Sequence, residues 1–177
     1  MSAALPDWFL WVVAGLFGAC LGSFLNVCIY RLPEGESVVK PRSRCPECGL
    51  QIAWYDNVPV LSWIVLRGRC RGCGMRISVQ YPVVELVTGL LWVAAVARFG
   101  LSWEALSMAV FFTFLLGIAL TDARCYVIPD EFSVGGTVLG LALAFAPGGL
   151  TFLRALAGAA LGFGFLTKML QAFLVLP

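Results

Sequence analysis

Four cysteines in two Cys-x-x-Cys pairs, Cys45/Cys48 and Cys70/Cys73, have the spacing that points most directly to chemistry. A two-residue spacer brings both sulfurs of a pair to one side of a tight turn. Two such turns supply the tetrahedron of thiolates that suits Zn²⁺ at a Zn–S distance of about 2.3 Å. Gly49 and Gly74 follow the pairs, where a positive φ is useful. With 21 residues between Cys48 and Cys70 the pattern is that of a four-cysteine zinc ribbon. Four thiolates on a divalent ion leave a net charge of about −2, which Arg44, Arg69 and Arg71 beside the ligands would offset. A full ligand set leaves no open position, so such a metal is structural. Redox chemistry competes, weakened by the doubled pair and the lack of a βαβ pattern, and thiolates also accept iron. With no His in the chain, imidazole ligands and proton relays are excluded.

The acids are the second group. Asp122 ends an apolar run, where a carboxylate is costly and by default functional; an interfacial pair with Arg124 is the plainer reading. Glu85 sits three residues into another apolar run and reads first as a helix-start charge at the membrane interface. Asp130, after Pro129, reads as a helix N-cap.

The elements that must hold these residues belong in a membrane. Hydrophobic residues make up 60% of the 177, charged residues 12%, and the mean hydropathy is +0.91. A soluble globule or a disordered chain is excluded, and a net charge of +2 gives no reason to expect a nucleic-acid partner. Apolar runs at 8–29, 82–97, 105–121, 132–146 and 150–166 predict five spans, the shorter ones aided by flanking polar residues. The first is too long for a removable signal and no basic residue precedes it. Between the first two runs lies a polar segment with four prolines and eight of the twelve Lys and Arg. With that segment in the cytosol, ten basic residues fall inside and two, Arg98 and Arg154, outside. The expected fold is therefore all-α: a multi-pass membrane bundle with a small cytosolic zinc-ribbon-like domain between the first two helices and an outside N-terminus. The expected divisions are a first transmembrane helix at 1–30, the four-cysteine domain at 31–81 and a helical core at 82–177.

Six stretches occur in a telling order: 22–33 (GSFLNVCIYRLP), 44–48 (RCPEC), 56–63 (DNVPVLSW), 66–73 (LRGRCRGC), 77–86 (ISVQYPVVEL) and 122–130 (DARCYVIPD). In these the sequence resembles the type IV prepilin peptidases, membrane aspartic peptidases of type IV pilus and type II secretion systems. The resemblance covers nearly the whole chain.

It implies a protein of the bacterial inner membrane with two activities on prepilins and pseudopilins. One is cleavage of the basic leader at the cytosolic face. The other is N-methylation of the new N-terminus from S-adenosylmethionine. It places the first catalytic aspartate at Asp122 and the second in a later Gly-x-Gly-Asp motif. Here Gly162-Phe163-Gly164-Phe165 has Phe where the acid would stand, and no acid follows Glu131. The expectation is a chain that stops before the second carboxylate, with weak or absent peptidase activity of its own. Asp130 could substitute only by folding back across a helix start. The alternatives are a non-enzymatic prepilin-binding or assembly scaffold, and a methyltransferase only. No nucleotide-type glycine loop marks the methyl-donor site; Asn26 and Glu85 are its candidates near the cytosolic face.

Overall fold

In the computed structural model, residues 6–145 and 152–161 are described. The helices are α1 (Asp7–Arg31), α2 (Leu61–Val65), α3 (Gln80–Phe99), α4 (Trp103–Cys125), α5 (Asp130–Leu143) and α6 (Phe152–Leu161). No strand occurs among the described residues; two isolated β-bridges, Arg44↔Gln51 and Arg69↔Arg76, are the only extended pairings. The chain is thus an all-α membrane protein with its cysteine cluster between the first two long helices.

α1, α3 and α4 are each long and apolar enough to cross a bilayer. Each outruns the apolar stretch that predicted it, because first and last turns accept polar residues. Ser102 caps α4 by accepting the Ala105 N–H at 3.1 Å, and Glu104 follows in the first turn. The expected fourth span is α5. Its 14 residues reach about 21 Å at 1.5 Å per residue, short of a hydrocarbon core of about 30 Å. The five-span expectation is therefore met by three helices of spanning length among the described residues. Of the fifth run only α6 is described; Gly162 to Phe165 lie outside the described residues. Asp130 is the first residue of α5 rather than its cap. Pro129 takes the cap position with φ −60° and ψ 143°, a conformation natural to proline.

The bundle is built on the α1–α3 pair. Lipid offers no hydrophobic drive between helices, so close backbone approach through small residues must supply the contact. Gly15, Gly18 and Gly22 of α1 face α3. A Cβ on Gly18 would stand 2.8 Å from the Trp92 side chain, and one on Gly22 would stand 2.8 Å from the Glu85 Cα. Gly89 answers from α3, its missing Cβ 3.0 Å from the Gly15 carbonyl oxygen. Trp92 donates to Thr113 Oγ1 of α4 at 3.0 Å, and Leu25, Ile29, Val84 and Phe132 form a buried cluster joining α1, α3 and α5. α1 ends, α3 begins, α4 ends and α5 begins at the face that carries the cysteine domain.

A Cβ on Gly22 would meet the backbone of α3 at Glu85, a clash that no rotamer change relieves. Gly22→Ala is therefore expected to destabilise the protein by about 1–3 kcal/mol, measured as a lowered thermal midpoint in detergent. An unchanged midpoint would mean that the two helices do not meet this closely.

Candidate functional site

The cysteine domain is two copies of one local structure. Cys45 N–H donates to Leu50 O at 2.9 Å, and Cys70 N–H to Met75 O at 2.8 Å. Gly49 N–H donates to Cys45 O at 2.9 Å, and Gly74 N–H to Cys70 O at 3.0 Å. Ile52 N–H reaches Ser43 O, and Ile77 N–H reaches Gly68 O, at 2.9 and 2.7 Å. The turns close through Gly49 at φ +69° and Gly74 at φ +73°, where a Cβ would be strained. Every partner is displaced by the same 25 positions. The signal was in the sequence and sequence reasoning missed it: RCPECGLQI at 44–52 aligns with RCRGCGMRI at 69–77.

The knuckles bring their sulfurs together. Cys45 Sγ lies 3.7 Å from Cys73 Sγ, Cys48 Sγ lies 4.0 Å from Cys70 Sγ, and all four lie within 4.8 Å of one another. A tetrahedron with its corners about 2.3 Å from a central ion has edges of about 3.8 Å, so the arrangement fits one ion. N–H groups of Cys73 and Gly72 aimed at the Cys70 sulfur bring that thiol down to about 7. Cys73 goes the other way. Although the Met75 N–H favours its thiolate, desolvation and the neighbouring sulfurs push it up to about 12. Four sulfurs this close do not all ionise without a cation among them.

Arg71 does not serve the cluster as expected from its position. Its Nε and a terminal N donate to the two Asp56 oxygens at 2.8 and 2.6 Å, and its guanidinium lies 5.7 Å from the Tyr55 ring centre. It pins the turn Trp54–Asn57 to the second knuckle instead. These hydrogen bonds hold the Asp56 carboxyl below its ordinary range. The pair is therefore fully present above that range and lost as pH falls through the lowered value.

Glu85 departs from its expected role as an interfacial helix-start charge. It is buried, and its Oε2 accepts the Val60 N–H at 2.8 Å. Val60 heads α2 with φ +61° and ψ −49°, a region costly for a β-branched residue. The carboxylate thus holds a strained turn of the cysteine domain against α3. Asn26 is also buried. Its amide donates to Gly22 O at 3.3 Å and Tyr81 O at 3.1 Å, while its Oδ1 has no partner among the described residues. Asn26, Tyr81, Glu85 and Arg124 share the lining of a cavity of about 980 Å³ between the membrane helices and the knuckles.

Asp122 stands in the last turn of α4, exposed. Its carbonyl accepts the N–H of Tyr126 at 2.8 Å, and Tyr126, at φ +56°, ends the helix. The expected pairing with Arg124 does not form. Arg124 lies 3.7 Å from the centre of the Tyr30 ring, which is stacked on Tyr81 at 5.5 Å and 4°. These two contacts tie the end of α4 to the end of α1 and the start of α3. Asp122 is therefore held at the knuckle face, and Asp130 begins α5 at that same face. The Arg124 contact was invisible to local reasoning, since its partner lies 94 positions away.

Comparison with known proteins supplies the context. Residues 16–99 match a family model described as the bacterial peptidase A24 N-terminal domain, and residues 109–175 match the type IV leader peptidase family. The prepilin leader peptidase/N-methyltransferase of Myxococcus xanthus is 48% identical over 164 residues, covering 91% of this chain and 49% of that protein. The protein of the same name from Neisseria gonorrhoeae is 31% identical, covering 93% and 66%. The type 4 prepilin-like proteins leader peptide-processing enzyme of Escherichia coli is 37% identical, covering 91% and 65%. The chain spans about half to two thirds of the length of these relatives. No solved structure matches it. Two domain models matched in order, and a helical membrane architecture with the cysteine cluster between its first long helices, show that the chain belongs to the type IV leader peptidase family.

Proposed function

We propose that this chain serves in removing the leader from type IV prepilins and pseudopilins and in N-methylating the new N-terminus. The observation that carries the reading is the gathering of Asp122, the thiol cluster and the polar cavity at one face of the bundle, in a chain whose relatives bear those names. That face is proposed to be cytosolic, on the ten-to-two split of basic residues. The proposed division is a first helix at 1–30, a zinc domain at 31–81 and a membrane core at 82–177.

Asp122 is proposed as one of two carboxylates that share a proton. One takes a proton from the water that attacks the scissile carbonyl, and the other donates to the carbonyl oxygen. Asp122 alone cannot do both. The partner must be Asp130, at the same face, or a carboxylate on polypeptide outside these 177 residues.

The four cysteines are proposed to hold a structural Zn²⁺. All four positions are filled by protein, so the ion holds the two knuckles together and offers no site to substrate. S-adenosylmethionine would supply an activated methyl group to the new N-terminal amine. The chain's own fitting feature is the cavity, where the unpartnered Asn26 Oδ1 offers an acceptor to an amino group.

The purified protein is expected to carry one Zn²⁺ per chain by elemental analysis. Cys70→Ser should lose the metal and raise amide exchange across both knuckles, including the unmutated one. Metal-free protein with both knuckles protected would refute the assignment.

Leader cleavage is best followed by mass spectrometry of a prepilin incubated with this chain and with a version extended to the relatives' full length. The extended form is expected to cleave, and its Asp122→Asn variant to lose about 10²-fold or more while still methylating a pre-cleaved pilin. Rapid cleavage by the 177 residues would make Asp130 the partner. No loss on substituting Asp122 would remove it from the mechanism.

A further inference from the structure

α2 is five residues long, and its side chains are sorted in a way the cysteine domain does not require. Ser62 Oγ accepts the Val58 N–H at 2.9 Å and donates to Tyr55 O at 3.1 Å. Trp63 donates to Ile77 O at 3.2 Å, and its ring fills the space where a Cβ on Gly68 would stand. These two residues turn toward the domain. Leu61, Ile64 and Val65 form the opposite face, at positions i, i+3 and i+4, and are 60%, 58% and 74% exposed. Contiguous branched aliphatic residues left bare on one side of a short helix are unfavourable in water and mark an interaction surface.

The depth of the helix identifies what covers that face. α3 has 20 residues, about 30 Å, the thickness of the hydrocarbon core. Its first residue, Gln80, therefore lies at the core boundary, and Glu85, five residues on, lies about 7 Å inside. The hydrogen bond from Val60 N–H to Glu85 Oε2 keeps the start of α2 within one side chain's reach of that depth, between it and the core boundary. Near that level Val83 and Leu86 leave the outer side of α3 bare and apolar, and Leu90 continues the same face deeper, so the two surfaces share one environment. Immediately after α2 come Arg67 and Arg69, both exposed and neither in an ion pair among the described residues. Long cationic side chains flanking an apolar helix reach outward to lipid phosphates.

We propose that α2 is an interfacial helix seated in the leaflet on the cysteine-domain side. Leu61, Ile64 and Val65 lie in the acyl boundary, and Arg67 and Arg69 meet anionic headgroups. The apolar face of such helices sits about 5–10 Å into that boundary, which matches the depth set by Glu85. The partner is the bilayer itself, and the assignment does not depend on leader cleavage.

The test places photoreactive benzoylphenylalanine at Ile64 or Val65 in the full chain, reconstituted in phosphatidylethanolamine–phosphatidylglycerol vesicles. The same probe at Leu90 serves as the lipid-facing standard, and at Leu50, exposed on the first knuckle, as the water-facing one. Lipid adducts at 64 and 65 are expected to match those at Leu90 and to exceed those at Leu50 several-fold. Adducts no higher than at Leu50 overturn the proposal. So do crosslinks to a second copy, to a prepilin or to the added polypeptide of an extended chain in place of lipid.

Discussion

The close approach of α1 and α3 is the constraint on which the rest of this structure depends. The cysteine domain begins where α1 ends and finishes where α3 begins. Its two ends are therefore held as near each other as the glycines of α1 allow. A side chain at Gly22 would push Glu85 outward and, with it, the hydrogen bond that draws Val60 against the bundle. The same displacement would part Tyr30 from Tyr81, since one ring stands on each helix. A helix–helix contact made by the absence of side chains thus sets the geometry of the polar groups above it.

The cysteine domain illustrates a different economy. It is a polar segment with little core of its own; Cys45 is its one buried hydrophobic residue among those described. Its order comes from repeated backbone hydrogen bonds and from bringing four sulfurs to one point. Such a design makes the two knuckles interdependent, because neither holds a complete ligand set. The bidentate Arg71–Asp56 pair and the Trp63–Ile77 bond then attach the intervening chain to the second knuckle rather than to the first.

How far the sequence disclosed this follows from the range of each interaction. The cysteine cluster was legible because a ligand pair is local and its partner repeats the pattern. The long helices were legible from apolar runs, but their ends were not, since Glu104, Asp122 and Arg124 are helical without being apolar. α5 was overestimated because hydropathy counts residues and is blind to where a helix turns off. Glu85 and Arg124 were misassigned for one reason. A charge beside an apolar run suggests solvent or a neighbouring counter-charge, whereas their partners are a backbone N–H 25 positions away and an aromatic face 94 positions away. Asn26 was singled out as a polar residue in an apolar run, but its unpartnered oxygen could only be seen once the cavity had walls.

The stack of Arg124 on Tyr30 carries a consequence for how Asp122 can be used. A guanidinium keeps its charge at every pH a folded protein meets, and the face of an aromatic ring attracts it without a counter-ion. The clamp that sets the last turn of α4 thus draws on no carboxylate. Had Arg124 been bound to Asp122 as a counter-ion, the acid would have been tied up in holding the helix end. Spending the arginine on an aromatic face anchors α4 to α1 and leaves the Asp122 side chain exposed, with no ion-pair partner among the described residues.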